Sequence, residues 1–316
     1  MNSSTGSPAH EPAPPSPGFR SGFVGILGKP NVGKSTLLNT LLGQKVSIVS
    51  PRPQTTRHRI IGVLHRPEAQ IIFIDSPGWH RPLHPLGRYL LATTKGIAEE
   101  ADVLVMMLDA TSGIRKEDQW VIDEVRRAKH RALLVINKAD AVRKPLILPL
   151  LEQCAKLEMF EEIIPLSALT GDNLPALLTQ IIKRLPEGPR WYELDQITDQ
   201  PTQRRVQELI REQILLATKQ EVPHAAAVLI DEFTHTDTLI TIRATIVVER
   251  EGQKAIVIGQ KGLFLKAIGT AARLELERLL GTKVFLQLWV KVVSDWRKES
   301  SILRQLGYED LADHRR

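Results

Sequence analysis

The sequence predicts an α/β domain built on a mostly parallel sheet, followed by a smaller α+β domain. Three observations carry this. From Gly22 to about Pro186, apolar runs of strand length alternate with helix-length amphipathic stretches, the pattern of β-α-β units laid on one sheet. A glycine-rich stretch, Gly28-Lys29-Pro30-Asn31-Val32-Gly33-Lys34-Ser35, joins the first strand to the first helix. After a Pro/Gly break at Leu185-Pro186-Glu187-Gly188-Pro189-Arg190, the order changes to α-β-β-α-α-β.

Within the first domain (20–186), strands are expected at 22–28, 70–75, 102–109, 131–137 and 162–166, with 57–64 as an edge strand beside the second. Runs such as Ile71-Ile72-Phe73-Ile74 and Ala132-Leu133-Leu134-Val135-Ile136 are apolar without alternation, as strands covered on both faces are. Helices are expected at 34–43, 85–99, 115–128, 146–158 and 173–185. Residues 187–201 read as a linker. The second domain (202–298) opens with an amphipathic stretch at 202–220, then strands at 224–233 and 238–249, the latter rich in β-branched residues. The run Ala255-Ile256-Val257-Ile258 leads into Gly259-Gln260-Lys261-Gly262, then a helix around 263–280 and a strand from Lys283 to Val292. Residues 1–19, rich in Pro, Ser and Ala, read as a disordered tail, and 299–316 as a C-terminal tail.

The bulk numbers bound the function. A chain of 316 residues has room for two domains, and 42% hydrophobic with 25% charged residues is ordinary for a soluble globular protein. No apolar run approaches bilayer length, and the first residues lack a signal-peptide core. One cysteine, Cys154, excludes an internal disulfide and fits a reducing cytosol. A net charge of +6 suggests an acidic partner, RNA or anionic lipid.

The motifs narrow this further. Gly28 to Ser35 fits G-x-x-x-x-G-K-[ST] between a strand and a helix, the context in which backbone N–H groups wrap phosphate oxygens. Lys34 is expected to reach the β/γ-phosphates and Ser35 to ligate Mg²⁺, with Thr36 following on the helix. Asn137-Lys138-Ala139-Asp140 selects guanine: the Asp140 carboxylate can accept from N1–H and the exocyclic amine, for which adenine has no match. Asn137 and Lys138 brace that loop, and Ser167-Ala168-Leu169 offers a backbone N–H to the guanine O6. In Asp75-Ser76-Pro77-Gly78, Asp75 is the second Mg²⁺ ligand and the Gly78 N–H senses the γ-phosphate. Thr55 or Thr56 supplies the third ligand from a mobile segment. The position after D-x-x-G, where many GTPases carry a water-orienting Gln, is Trp79, so intrinsic hydrolysis should be slow. Asn31 either shapes its loop or helps hold K⁺ beside the phosphates. In the second domain, the element order with G-x-x-G between helices is the KH arrangement, whose loop clamps about four nucleotides. Gly259, Gln260, Lys261 and Gly262 are the RNA-binding candidates.

With these motifs in place, the chain resembles the Era GTPases over about 20–300. The phosphate loop, Pro53-Gln54-Thr55-Thr56-Arg57-His58, the D-S-P-G and the two base-reading segments are family-like. Most specific are Glu249-Arg250-Glu251-Gly252-Gln253-Lys254 before the G-Q-K-G loop and the closing Leu288-Trp289-Val290-Lys291-Val292. The resemblance implies a Ras-like P-loop GTPase domain followed by a type II KH domain, and Thr56 rather than Thr55 as the Mg²⁺ ligand. Lys34, Thr56 and Gly78 are then the groups at the chemistry. It further implies a monomeric, cytoplasmic GTP/GDP switch in small (30S) ribosomal subunit assembly, acting on the 3′ end of 16S rRNA, with peripheral contact to the inner membrane as an additional expectation. Trp79, Ser76 and the Pro/Ser-rich N-terminal tail depart from the family pattern. Two other readings compete: a membrane-surface GTPase adaptor whose KH fold contacts protein or lipid, and a tRNA-modification GTPase, which would need partner domains. Since Trp79 cannot orient or deprotonate water, Trp79→Ala is expected to leave GTP turnover in place in a phosphate-release assay, whereas Lys34→Ala removes it; equal losses would count against this assignment.

Overall fold

The computed structural model describes residues 17–79, 85–128, 131–219 and 222–308. The most apolar strands occupy the middle of a six-stranded sheet: β1 (Arg20–Leu27) lies between β3 (Ala69–Asp75) and β4 (Val103–Asp109). The order is β2-β3-β1-β4-β5-β6, completed by β2 (Ile60–His65), β5 (Arg131–Asn137) and β6 (Glu162–Pro165). Only β2 runs antiparallel, paired with β3 from Ile60↔Asp75 to His65↔Gln70. Five helices cover the two faces: α1 (Lys34–Leu42), α2 (Pro85–Glu100), α3 (Lys116–Ala128), α4 (Lys144–Ala155) and α5 (Leu174–Arg184). On one face Leu37 and Leu38 of α1 and Leu177 and Ile181 of α5 pack against Val24, Ile26, Ile71 and Phe73. On the other, Ile97, Val121 and Leu150 of α2, α3 and α4 pack against Leu27, Ile74, Leu104 and Leu134. Because β1, β3 and β5 are parallel, their C-terminal ends share one sheet edge, where open α/β folds bind ligands.

The second domain comprises α6 (Thr202–Ala217), α7 (Val222–Ala225), β7 (Ala227–His235), β8 (Leu239–Val248), α8 (Glu251–Ile258), α9 (Leu263–Leu280) and β9 (Lys283–Val292). Its sheet has the order β7-β8-β9, with β7–β8 antiparallel and β8–β9 parallel. Gln253 caps α8 by accepting from the backbone N–H groups of Glu249 and Arg250 at 2.9 and 3.1 Å, which explains the polar phrase before this helix. Among the described residues no single helix is long and apolar enough to cross a membrane; α8 and the Gln260–Leu280 stretch pass that test only as a pair bent by 44°, and Val257, Ile268 and Leu276 of this pair are buried in the domain core.

Four expectations change. The edge strand expected at 57–64 begins at Ile60, because Arg57 and His58 are buried in the junction between domains. The residues expected to be a free linker are tied to the first domain. Gln70 Oε1 accepts from the Trp191 and Tyr192 N–H groups, and Val63 N–H donates to Ile197 O at 2.8 Å. The expected first strand of the second domain starts three residues late, since Val222–Ala225 forms a helical turn. Both tails shrink. Phe19 is buried and Arg20 starts β1, while Ser300–Gln305 forms α10, burying Leu303, Leu306 and Tyr308; residues 1–16 and 309–316 lie outside the described set.

That C-terminal segment closes the junction. Leu86 and Leu90 of α2 share one apolar cluster with Ala227, Val247, Trp296, Leu303, Leu306 and Tyr308. Trp296 is fully buried and its indole N–H donates to Ala225 O at 2.8 Å. Removing a buried indole typically costs about 3–5 kcal/mol. Trp296→Ala should lower stability by that order in urea denaturation followed by circular dichroism; a change under about 1 kcal/mol would show that this cluster does not hold the domains together.

Candidate functional site

The phosphate loop leaves β1 through Gly28 and enters α1 through Gly33, whose φ of 103° suits glycine. A Cβ on Gly33 would lie 2.2 Å from Asn137 Nδ2, so this glycine also makes room for the base-reading loop. Gly78 sits against the same loop, where a Cβ would meet Pro30 at 2.8 Å. The Trp79 N–H donates to Gly28 O at 3.1 Å, while its indole is buried among Ile97, Leu104 and Val121. The sequence expectation for Trp79 thus acquires a structural reason: its ring belongs to the core rather than to the site.

A cavity of about 480 Å³ opens here, lined by Pro30, Asn31, Gly33 to Thr36, Ile48 to Pro51, Gln54 to Thr56, Gly78 and Lys138. The buried Lys34 ammonium donates to Gly28 O and Lys29 O at 3.1 and 3.0 Å, and burial pulls its pKa down to about 8. Asp75 Oδ2 accepts from Ser35 at 2.6 Å and Ser47 at 2.9 Å, and Thr56 Oγ1 lies 2.9 Å from Ser35 Oγ. Asp75 Oδ1 is buried with no partner, and burial raises the carboxyl pKa despite Lys34 nearby. An orphaned carboxylate oxygen among hydroxyls is a donor set suited to Mg²⁺, which takes a few hard oxygens and keeps its other positions for phosphate and water. Thr55 faces elsewhere: its hydroxyl donates to Arg52 O at 2.7 Å and lies 2.8 Å from Ser50 Oγ. Asn31 Nδ2 donates to Pro51 O at 2.9 Å, tying the phosphate loop to the segment that carries Thr56.

At the base end, Asn137 Nδ2 donates to Val32 O at 2.7 Å and its Oδ1 accepts from Ala168 N at 2.8 Å. One side chain therefore locks three loops together. Lys138 pairs with Asp109 at 2.6 Å; burial opposes ionisation there, but this ammonium and the Thr111 hydroxyl hold the carboxyl below its usual range. The Asp140 carboxylate is exposed, so its loss of hydration begins only when a base covers it. With Ala168 N engaged, Leu169 is the residue of that segment whose N–H carries no bond among the described residues.

Sequence reading missed several residues that position this site. Asn39 Oδ1 accepts from Val46 N and Ser47 N, both at 2.9 Å, and its Nδ2 donates to Ser47 O; an amide in the otherwise apolar Leu37–Leu42 stretch was the available signal. Asp118, fully buried on α3, pairs with Lys29 of the phosphate loop at 2.7 Å and fixes that loop to the helix. Most extensive is the cluster behind Thr56. Arg57 donates to Ala226 O at 2.9 Å and His224 O at 3.0 Å, and lies over the Trp296 ring at 5.8 Å. His58 stacks on Tyr308 at 4.7 Å with planes 5° apart. Burial pushes the His58 pKa down to about 3, so the ring is neutral, and its Nε2 accepts from Arg204 at 2.9 Å. Arg211 donates to Thr55 O and pairs with Glu208 at 2.5 Å. Burial works against both charges, yet each partner sustains the other, holding Glu208 below and Arg211 above its usual range.

In the second domain, Gly259 has φ 70° and a Cβ there would lie 2.4 Å from Phe264 Cβ. Gly262, at φ 76°, faces open space. Between them Lys261 takes the left-handed conformation at φ 49°. The adjacent groove, about 350 Å³, runs between α9 and β9 past Gly262, Lys266, Gly269, Arg273, Leu286 and Leu288.

A phosphate loop, a guanine-reading loop and a magnesium-type oxygen cluster on one sheet edge, joined to a KH fold, define a GTPase of the RNA-binding class. Comparison agrees by region: residues 23–138 match the family described as 50S ribosome-binding GTPase, and 221–297 the KH domain family. GTPase Era of Syntrophus aciditrophicus (strain SB) is 44% identical over 294 residues, 92% of this chain and 96% of that protein. GTPase Era of Staphylococcus haemolyticus (strain JCSC1435) is 45% identical over 93% of this chain and 99% of its own length. A crystal structure of Era in complex with MgGDPNP and nucleotides 1506–1542 of 16S ribosomal RNA superimposes with a TM-score of 0.90 at 45% identity, covering 92% of this chain and 99% of that one. The chain belongs to the Era GTPase family.

If Asp140 reads the exocyclic amine, an inosine nucleotide loses one charge-assisted hydrogen bond, about 1.5–3 kcal/mol. IDP should therefore bind about ten- to a hundredfold more weakly than GDP in titration calorimetry, and Asp140→Ala should erase the difference.

Proposed function

We propose that this protein is a GTP-hydrolysing, 16S rRNA-binding switch that acts in small ribosomal subunit assembly in the cytoplasm. The observation that carries the reading is physical continuity. Thr56, which would ligate Mg²⁺ and lies against Ser35, is followed in the chain by Arg57, whose guanidinium is buried against the second domain. Gly28 to Thr36 would cradle the phosphates, Lys34 would meet the β/γ-oxygens, and the Gly78 N–H would face the γ-phosphate. Ser35, Thr56 and Asp75 would hold Mg²⁺, which when bound neutralises phosphate charge during transfer. Asp140, braced by Asn137 and Lys138, and the Ser167–Leu169 backbone would select guanine. With Trp79 in the core, turnover relies on these positioning groups and on a partner. Gly259 to Gly262 would clamp an RNA backbone along the α9–β9 groove.

The Era complex with MgGDPNP and a 16S rRNA fragment supports this reading over the membrane-surface adaptor. The fragment, nucleotides 1506–1542, far exceeds the about four nucleotides that a KH loop clamps. Nucleotide-dependent ordering of 55–58 would alter the junction and, through it, RNA binding. The test is RNA affinity with GDP and with a non-hydrolysable GTP analogue. Wild type should differ between the two states by about fivefold or more, and Arg57→Ala should bring the two affinities together. Equal affinities in the wild type would remove the coupling, and failure to bind RNA in either state would remove the assignment.

A further inference from the structure

The strand that walls the RNA groove has a second face. Along β9, Val284, Leu286, Leu288 and Val290 belong to the core or groove side. Their alternates, Lys283, Phe285, Gln287, Trp289 and Lys291, emerge on the opposite side of the sheet, since side chains alternate along a strand. Phe285 and Trp289 are 45% and 47% exposed. Neither ring joins an apolar cluster or stacks on another aromatic among the described residues. The register sets Arg243 of β8 opposite Gln287, between the two rings. Its Nε donates to Gln287 Oε1 at 3.1 Å and its Nη1 pairs with Glu232 at 2.8 Å, so the guanidinium is held in place. Lys283 and Lys291 are exposed at the two ends of the row; Lys283 has only a 3.9 Å approach to Glu277. The acidic groups of this face, Asp231 and Glu232, lie on β7, away from the β9 edge, and Asp231 accepts from Thr245 at 2.8 Å.

We infer that this outer sheet face is a second RNA-contacting surface, a stacking platform for unpaired bases of the same RNA whose backbone occupies the groove. The inference rests on the RNA-binding reading above. Alternate residues on a strand lie roughly 7 Å apart, so Lys283, Phe285, Gln287, Trp289 and Lys291 form a cation–ring–amide–ring–cation ladder. Ring faces stack bases irrespective of sequence, guanidinium planes do the same, and terminal ammoniums meet phosphates. A protein-docking hot spot would gather its aromatic groups into one desolvated patch, whereas these rings are separated by polar groups already fixed by hydrogen bonds. Continuity supports one occupant. Among the described residues β9 pairs with β8 alone and its other edge carries no strand, and Leu286 and Leu288 of this strand line the groove. An RNA leaving the groove over that edge arrives at Phe285 and Trp289.

The test uses the full chain loaded with a non-hydrolysable GTP analogue and two labelled RNAs: a six-nucleotide single strand from the 16S rRNA 3′ end, sized for the groove, and the whole 1506–1542 fragment. Fluorescence anisotropy should show that Phe285→Ser with Trp289→Ser weakens the long RNA about tenfold or more, the size of one or two lost stacks, and leaves the short RNA unchanged. Trp289→Tyr, which keeps a ring, should stay near wild type, and Gly262→Asp should weaken both RNAs. If the double variant binds the long RNA as wild type does while Gly262→Asp does not, the platform is overturned and the groove reading stands. Equal weakening of both RNAs would place the effect in the groove and also overturn it. Intact RNA affinity with lost association to assembling small subunits would assign the face to a protein instead. Failure of the wild type to bind either RNA would sink the underlying reading.

Discussion

The Arg57 guanidinium is the interaction on which the arrangement of the two domains depends. It leaves the first domain next to Thr56, whose hydroxyl lies against Ser35, and ends, fully buried, on carbonyl groups of the second. Burying a cation costs several kcal/mol unless its hydrogens are matched, and the match here is incomplete. Among the described residues Arg57 Nε and Arg211 Nη1 find no acceptor, and burial lowers the Arg57 pKa. Each orphaned donor costs about 1–3 kcal/mol. The junction thus combines a few strong bonds with a few buried donors left unmatched. Lys45 and Val49, also near the nucleotide cavity, reach the same helix through Glu212, so the whole segment from 45 to 58 is strung along α6.

The side chains around the cavity divide between fixing its loops and gathering its oxygens. Asn137 and Lys29 fix the loops, Asn39 fixes the entry to the mobile segment, and Asp75 gathers the hydroxyls. All of these are positioning contacts. The residue after the D-x-x-G stretch, Trp79, is spent on packing. The segment that carries Thr56 is also the one in contact with the second domain, through Arg57 and through Arg211.

Much of this was legible in the amino-acid order, and the reasons for success and failure differ. The central strands were readable because Ile71–Ile74 and Ala132–Ile136 must be covered on both faces. The nucleotide loops were readable because phosphate and guanine recognition need particular groups at fixed spacing. Thr56 was separated from Thr55 by resemblance alone; the Thr56 hydroxyl lies against Ser35, whereas that of Thr55 turns to Arg52 O. What escaped was non-local. Nothing near Arg57 announces a partner more than 160 residues away at Ala226, and the polar composition of Ser300–Gln305 conceals that Leu303, Leu306 and Tyr308 cap the junction. The segment around Trp191 read as a linker because Pro and Gly report local backbone habit, whereas Gln70, deep in β3, decides where it docks.

The position of Tyr308 has a consequence for how the molecule is made. His58 and Arg57 are translated early, but Trp296 and Tyr308, which cover them, are among the last described residues of the chain. At about 5–20 residues per second the interval is on the order of tens of seconds. During it the first domain can form its sheet and its nucleotide cavity while Arg57 remains solvated. The groups that join the two domains are thus synthesised long after those that build the nucleotide cavity.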